Sequence, residues 1–565
     1  MCGIAGIFGP KASKEVLSSM LAKQTHRGPD FTGIFVKEAE VALGHNRLSI
    51  LDLSDAANQP FHSPDGRYTL IFNGEIYNYL EIKRSLSSKY QFITQSDTEV
   101  LLFAFQEWGT ACLHQLNGMF AFAIWDHQTQ KLTAARDRFG VKPLHYSLME
   151  GSLVLSSEIT PIWTFGVRKK ANKKIWSRFF VQGRYGEEEE TFWEDVFQLP
   201  AGHWMTWQEG KLTVTPWYDF VTNISRQLEI PQDQQEEYIL DLLRDAVKLR
   251  FRADVPVGFN LSGGLDSSTL LALVSDLFPQ DGAIETFTFV TGDDRYDEIL
   301  WVKQMLQGRP YPLNSCLLTC DEVPELTAKM SLLQSEPFGG IPTLAYSKVF
   351  KRAREKGFLV LLDGQGADEA WAGYDYYLKK ESGIVQGTQT SPLKPNALVR
   401  EFAEMSHQQA YPQPFESKIL NLQYRDLFKT KIPRALRFND RVSMAHSTEL
   451  REPFLDYRLV EYVFSRPESF KIRDGQQKWL LRKIAGRFLG DQIALAPKRP
   501  VQTPQREWLA GPLKDWVYSQ LESLCNQTDW FEKDQILKEW EDYLRGNQDN
   551  SFYLWQWINT AELMK

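Results

Sequence analysis

Apolar and polar positions along this chain fall into runs of two periods. In the first part, short continuous or alternating apolar runs read as strands: CGIAGIFG (2–9), YTLI (68–71), FAFAIWD (120–126) and KLTAARD (131–137). HQTQ separates the last two, so residues 120–137 are predicted as a hairpin. A helical period appears in TEVLLFAFQEW (98–108) and in EEYILDLLRDAVKLRF (236–251), where Ile239, Leu242, Leu243, Val247 and Leu249 recur on one face. From residue 255 the two periods alternate. VPVGFNL (255–261) reads as a buried strand, TLLALVSDLF (269–278) as a helix, and ETFTFV (285–290) as a strand. A helix starts at Tyr296-Asp297-Glu298, an amphipathic helix follows Glu336-Pro337-Phe338-Gly339, and FLVLL (358–362) is a buried strand. Alternation of this kind predicts a doubly wound parallel sheet. Between the halves, ISRQLEIPQDQQEE (224–237) is polar, holds Pro231 and reads as a linker.

Two glycine turns punctuate the second half. VPVGFNL breaks into Ser262-Gly263-Gly264, and Asp266-Ser267-Ser268 opens the next helix. Strand, glycine turn and helix N-terminus converge backbone N–H groups on an anion, and the helix dipole favours negative charge there. Neither Gly-Lys-Ser/Thr nor G-x-G-x-x-G is present at this turn, which sets aside a Walker A loop and a dinucleotide fingerprint. The second turn is Asp363-Gly364-Gln365-Gly366-Ala367-Asp368-Glu369, after FLVLL. Strand ends at Ser262 and Gly364 can face one nucleotide across the carboxyl edge of the sheet. Asp266 and Asp368 are then oxygen ligands for Mg²⁺, whose other ligands are water and phosphate. An Asp-Glu pair on a plain helix surface is the alternative.

The N-terminus carries a different chemistry. Cys2 follows the initiator Met, a residue small enough for aminopeptidase to expose it. It then owns a thiol and an α-amine, and an amine titrating near ~7.7–8.0 can serve as base for that thiol. Three motifs accompany it: His26-Arg27-Gly28-Pro29-Asp30, Arg47-Leu48-Ser49-Ile50, and Phe72-Asn73-Gly74-Glu75-Ile76-Tyr77-Asn78. Asn73-Gly74 reads as a turn pair whose amide and N–H can form an oxyanion hole. Asp97, after Ser96, opens a helix and by itself reads as a plain N-cap or first-turn acid.

Together these motifs resemble the class II glutamine amidotransferases over about the first 200 residues, and SGGLDSS resembles the loop of the ATP pyrophosphatases. The resemblance implies an N-terminal-nucleophile fold, an αββα sandwich. It also implies that Cys2 attacks the glutamine amide, that Asn73 and Gly74 hold the oxyanion, and that Arg47, Glu75 and Asp97 grip the amino-acid end. Arg136-Asp137-Arg138-Phe139-Gly140-Val141-Lys142-Pro143-Leu144 and Ser156-Ser157-Glu158 fit the same family and are assigned to fold and interface. With Leu436-Arg437-x-x-Asp440-Arg441, Arg451-x-Pro453-Phe454-Leu455-Asp456 and Lys478, the whole chain resembles the glutamine-hydrolysing asparagine synthetases. This resemblance implies an amidotransferase domain at 1–215, a linker at 216–235 and an ATP-pyrophosphatase synthetase domain at 236–565 with a helical C-terminal part. It implies ATP binding by Leu261, Ser262, Gly263, Gly264, Asp266, Ser267, Val290, Asp363 and Gly364. Lys478 neutralises phosphate charge, and ammonia travels between the sites to attack an aspartyl adenylate.

Three positions depart from that family's pattern. Asp363 and Gln365 stand where it usually has Ser and an acid, which makes Asp363 a candidate proton acceptor. Glu452 stands at a usually apolar position, and Lys498-Arg499-Pro500-Val501 replaces Lys-x-Gly-Phe. The departures bear on the acceptor, so another carboxylate, such as a sugar acid or a peptide, is the alternative to aspartate. A non-catalytic nitrogen sensor is a second alternative, and a β-lactam-forming synthetase a third, opposed by Cys2. Residues 383–396 form a polar loop that covers a substrate or simply a surface, and the acidic run 187–190 reads as solvated.

Bulk properties narrow the partners. Net charge is -8 without a long basic tract, so nucleic acid and acidic membrane surfaces are not expected partners. The 43 % apolar and 24 % charged residues describe an ordinary globular chain. Five scattered cysteines point to reduced thiols and a cytoplasmic home; Cys316 and Cys320 read as packing residues. The expected small molecules are glutamine, ATP with Mg²⁺ and a carboxylate, and a homodimer is the expected assembly, which no residue of the sequence decides.

Overall fold

A computed structural model describes residues 1–565 except 186–188, 279–282, 380–390, 408–409, 499–501 and 547–549. The first part is built from two six-stranded sheets. One has the order Phe197–Gln198, His145–Met149, Ser152–Ser156, Gly3–Phe8, Val41–Arg47, Phe31–Lys37. The other runs Lys211–Pro216, His203–Gln208, Lys131–Arg136, Gly118–Asp126, Tyr68–Ile76, Phe61–His62. Their pairings are antiparallel, and the predicted hairpin is there as Gly118–Asp126 against Lys131–Arg136. Inner faces meet in a core of Ile4, Phe8, Leu43, Ile71, Ala121 and Trp125. The helices Lys14–Ala22 and Ile159–Phe165 cover the first sheet, and Asp97–Trp108 packs on the second. This is the expected αββα sandwich.

The second part holds a parallel sheet ordered Leu313–Leu317, Thr286–Val290, Val257–Asn260, Val360–Leu362, Glu449–Arg451. Chain order therefore reverses between Val257–Asn260 and Val360–Leu362. Ligands of doubly wound sheets bind in the crevice beyond the strand carboxyl ends at such a reversal. Helices dominate the chain beyond that sheet, from Tyr457–Phe464 to Phe552–Met564. The stretch 216–235 is not bare linker: it contains the helix Phe220–Ser225, capped by Asp219, with Phe220 buried against Phe428 and Phe464. The two parts share a hydrophobic cluster in which Trp176, Phe192 and Trp193 meet Phe338, Trp530 and Trp555. No described helix is long and apolar enough to cross a membrane.

Candidate active site

Cys2 stands at the head of the strand Gly3–Phe8, whose pairing with Val41–Arg47 brings Arg47 alongside. The Cys2 backbone N–H donates to Asn73 Oδ1 at 3.0 Å. That bond orients the Asn73 amide and leaves its Nδ2 buried without a hydrogen-bond partner among the described residues. A buried donor without a partner is what an oxyanion would satisfy. Burial pushes the Cys2 thiol up, while the N-terminal ammonium, a backbone hydrogen bond from Leu48, and Arg47 pull the other way. Asn73 and Gly74 are not a turn, as the sequence suggested. They lie inside the strand Tyr68–Ile76, opposite Ala121 and Phe120. Glycine is needed for close approach, because a Cβ on Gly74 would sit 2.2 Å from the Met119 carbonyl oxygen.

Met1, Cys2, Arg47, Gly74, Glu75 and Asp97 line a cavity of about 30 Å³, with Met1 as part of its wall. Arg47 donates to the Ser54 carbonyl at 2.8 Å and Asn58 Oδ1 at 2.7 Å, and it reaches the Leu51 and Asp52 carbonyls as well. These acceptors shape the loop around Arg47 without neutralising its charge. Asp97 begins the helix Asp97–Trp108 behind its cap Ser96, and its Oδ2 accepts the Ile76 N–H at 2.8 Å. Burial pushes the Asp97 carboxyl up to about 7 and Glu75 well above the ordinary range. Glu75 Oε1 lies 3.3 Å from Arg451, a residue of the other half.

The second group sits at the reversal of the parallel sheet. Asn260, Gly263, Asp266, Asp363, Lys478 and Lys498 are among the residues lining a cavity of about 280 Å³. Gly263 N–H donates to Glu298 Oε2 at 3.1 Å, so the glycine turn already receives a carboxylate where the sequence predicted phosphate. Ser267 Oγ donates to the Ser262 carbonyl at 2.8 Å and closes the turn, and Gly264 caps the helix Leu265–Leu277. The two turns touch: a Cβ on Gly364 would lie 3.1 Å from Asp266 Cβ. Leu261 and Val290 stand at strand ends outside this wall. The Leu261 N–H donates to the Phe287 carbonyl, and the Val290 carbonyl accepts from Leu318. Asp363 Oδ2 accepts from Asn260 at 2.6 Å and Oδ1 from the Gln365 N–H at 3.0 Å. Burial raises its carboxyl.

Lys478 joins the acids. Its Nζ lies 2.7 Å from both Asp266 oxygens and 2.6 Å from Asp368 Oδ1, while Lys498 Nζ lies 2.7 Å from Asp368 Oδ2. Burial opposes the Asp368 charge, but these two lysines hold its carboxyl well below the ordinary range. Burial is the largest effect on Asp266 and leaves its carboxyl raised. Lys478 adopts φ 52°, a left-handed conformation that costs a non-glycine residue of order 1 kcal/mol or more and is found at functional sites. Two carboxylates bound to one ammonium lie close enough to flank a small divalent cation. They suit Mg²⁺, which takes few protein ligands beside phosphate and water. No cluster of three or more His, Cys, Asp and Glu suited to a metal occurs among the described residues.

Sequence reasoning missed Tyr346, Gln477 and Arg482 at this cavity, and Glu298 against the glycine turn. Glu298 was legible only as a helix start, and the others sit in segments whose pattern carries packing alone. Lys498 is described, whereas 499–501, most of 383–396 and residues 187–188 lie outside the described residues.

Interface motifs connect the two groups. Arg27 pairs with Glu158 at 3.1 Å and with Asp440 at 2.9 Å, and Lys142 lies 3.8 Å from Asp440. The strand Glu449–Arg451 reaches both sites: Glu449 pairs with the Met1 amine at 3.0 Å, and the Arg451 carbonyl accepts from Asp363 N–H at 3.0 Å.

Residues 1–218 match the glutamine amidotransferase domain family, and residues 238–565 match asparagine synthase. The chain belongs to the asparagine synthase family. Asparagine synthetase [glutamine-hydrolyzing] 1 of Bacillus subtilis is 29 % identical over 98 % of this chain and 95 % of its own length. Putative asparagine synthetase [glutamine-hydrolyzing] 2 of Methanocaldococcus jannaschii is 33 % identical over 67 % of this chain and 76 % of its own. Amidase chry2 of Gibberella zeae is 27 % identical over 91 % of this chain and 90 % of its own. The family couples a glutamine amidotransferase to an ATP-using ligase half, and both halves are present here.

Proposed function

We propose that this chain is a glutamine-dependent asparagine synthetase that amidates aspartate with ammonia drawn from glutamine. The observation that carries the reading is the pairing of two sites in one body. A buried Cys2 lies beside an Asn73 amide with a free donor, and a glycine turn at the sheet reversal is joined to it by one strand. In this reading Met1 is removed, which widens the small first cavity and frees the Cys2 amine to act as base. The thiolate attacks the glutamine side-chain carbonyl, Asn73 and Gly74 stabilise the oxyanion, and Arg47, Glu75 and Asp97 hold the substrate's charged end.

The glycine turn 262–264 and Lys478 bind ATP phosphates, and the acceptor carboxylate attacks the α-phosphorus to give an acyl-adenylate and pyrophosphate. Lys478 moves from Asp266 and Asp368 to the phosphates, a role that suits a compact ammonium. Asp266 and Asp368 would hold Mg²⁺, which would supply neutralisation of the phosphate charge. Another carboxylate is the second reading, favoured by Gln365 and Asp363 in the wall of the larger cavity and by the amidases among the relatives. The test is ATP–pyrophosphate exchange with single carboxylates. Exchange with aspartate alone supports asparagine synthesis; exchange only with another acid moves the acceptor; stoichiometric ADP with any acid removes the reading.

A further inference from the structure

Glu452 follows the strand Glu449–Arg451 and is 4 % exposed. The ladder pairs Leu362 with Arg451, and Asp363 N–H donates to the Arg451 carbonyl, so Asp363 and Glu452 continue two neighbouring strands at one level. Asp363 lines the larger of the two cavities just described, and Glu452 lies outside its wall, on the side of the domain interface. The groups facing Glu452 come from five elements. They are Lys142 after the strand Lys131–Arg136, Asp440 of the helix Lys431–Met444, Arg250 at the end of Gln235–Arg250, Asp363, and Tyr77 after Tyr68–Ile76.

The cations around it have other partners: Lys142 lies 3.8 Å from Asp440, and Arg250 pairs with Asp456 at 3.0 Å. Burial outweighs Lys142 and Arg250, with Asp363 and Asp440 adding to it, and pushes the Glu452 carboxyl up to about 7. A carboxyl that holds and loses a proton near neutral pH is matched to proton transfer.

Amide formation, on the function proposed above, creates one proton. The ammonia nitrogen bonds to the acyl carbon, the carbon–oxygen bond to AMP breaks with its electron pair on the phosphate, and one N–H proton must leave. Gln365 in the cavity wall cannot accept it, and Asp363 can. We propose that Glu452 is a positioning residue for this proton, drawing it from Asp363 so that Asp363 faces the next ammonia as a carboxylate. Glu452 then returns the proton to water at the domain interface between turnovers.

The test uses the full chain, with ammonium chloride as nitrogen donor and the acid that supports exchange. Amide formation and ATP–pyrophosphate exchange are each followed from pH 5.5 to 8.5 in wild type, Glu452→Gln and Glu452→Asp. The expected result has three parts. Exchange stays within about twofold of wild type in both variants. Amide formation in Glu452→Gln falls by about 10²-fold, the low end for a lost proton acceptor, and its rising limb around neutral pH disappears. Glu452→Asp retains that limb at a shifted pH. A wild-type pH profile in Glu452→Gln overturns the proposal. So does a parallel loss of exchange, which would place Glu452 in adenylation or folding. Absence of exchange in wild type with every acid instead sinks the ligase function, and the two failures are read in different assays.

Discussion

Cys2 and Asn73 share one hydrogen bond, and most of the first site's chemistry follows from it. The bond aims the Asn73 carbonyl at the backbone of the nucleophile and leaves the amide donor free. Cys2→Ala is expected to cut glutamine hydrolysis by at least about 10³-fold while ammonia-dependent amide formation continues. Full glutaminase activity in that variant would remove Cys2 as nucleophile. Asn73→Ala is expected to lower the hydrolysis rate by about 10²–10³-fold, the usual loss for one oxyanion donor, with a smaller effect on KM. Cys2 itself was legible because the surrounding motifs are dense. The partner of the neighbouring Met1 amine was not: Glu449 comes from a strand some 450 positions away, and no local pattern announces it.

At the scale of elements, the sequence pattern predicted strands and helices well where periods were clean and misread close approach as turning. Asn73-Gly74 carries the strongest hairpin dipeptide, yet the ladder with Gly118–Asp126 runs straight through it. The glycine answers the Met119 carbonyl rather than a bend. Gly373 is a similar case at the second site: a Cβ there would lie 2.0 Å from Asp368 Oδ1 and 2.2 Å from Lys478 Cε. Gly373→Ala is therefore expected to displace the Asp368–Lys478 pair and lower pyrophosphate exchange by about 10²-fold, in line with misplacing reacting groups by an ångström. Glutaminase activity, measured on the same sample, should remain within about twofold. Equal loss of both activities would mean that the substitution unfolds the chain.

At the scale of the whole molecule, charge is buried between the halves and folding bears its cost. Glu452 is the clearest case. Its carboxyl is raised from the ordinary 4.5 to about 7, so the stability it contributes is present below pH 4.5 and is lost as pH rises through 7. Glu452→Gln should therefore unfold later than wild type at pH 8, by up to about 3 kcal/mol, and no later at pH 4.5. Urea midpoints at the two pH values check the sign; an advantage confined to the acid side would contradict the burial argument. Asp97, raised to about 7, follows the same sign. Glu158 and Glu336, held near 2 by His26, Arg27, Arg437 and Arg441 against their burial, follow the opposite one and stabilise above the usual carboxylate range. The two-part organisation was legible from periods and glycine turns. The interface was not, because Arg27, Lys142, Asp440 and Glu452 are spread across more than 400 positions and meet only in the folded chain.

The central claim is that nitrogen released at Cys2 is used at the glycine-turn site of the same chain. The direct measurement supplies glutamine labelled with ¹⁵N in the side-chain amide, together with excess unlabelled ammonium, ATP and the acceptor acid, and reads the amide product by mass spectrometry. The expected product carries the ¹⁵N label, with one AMP and one pyrophosphate formed per amide. A product that carries only the unlabelled nitrogen of the bulk ammonium, or ATP turnover that yields ADP, would contradict it.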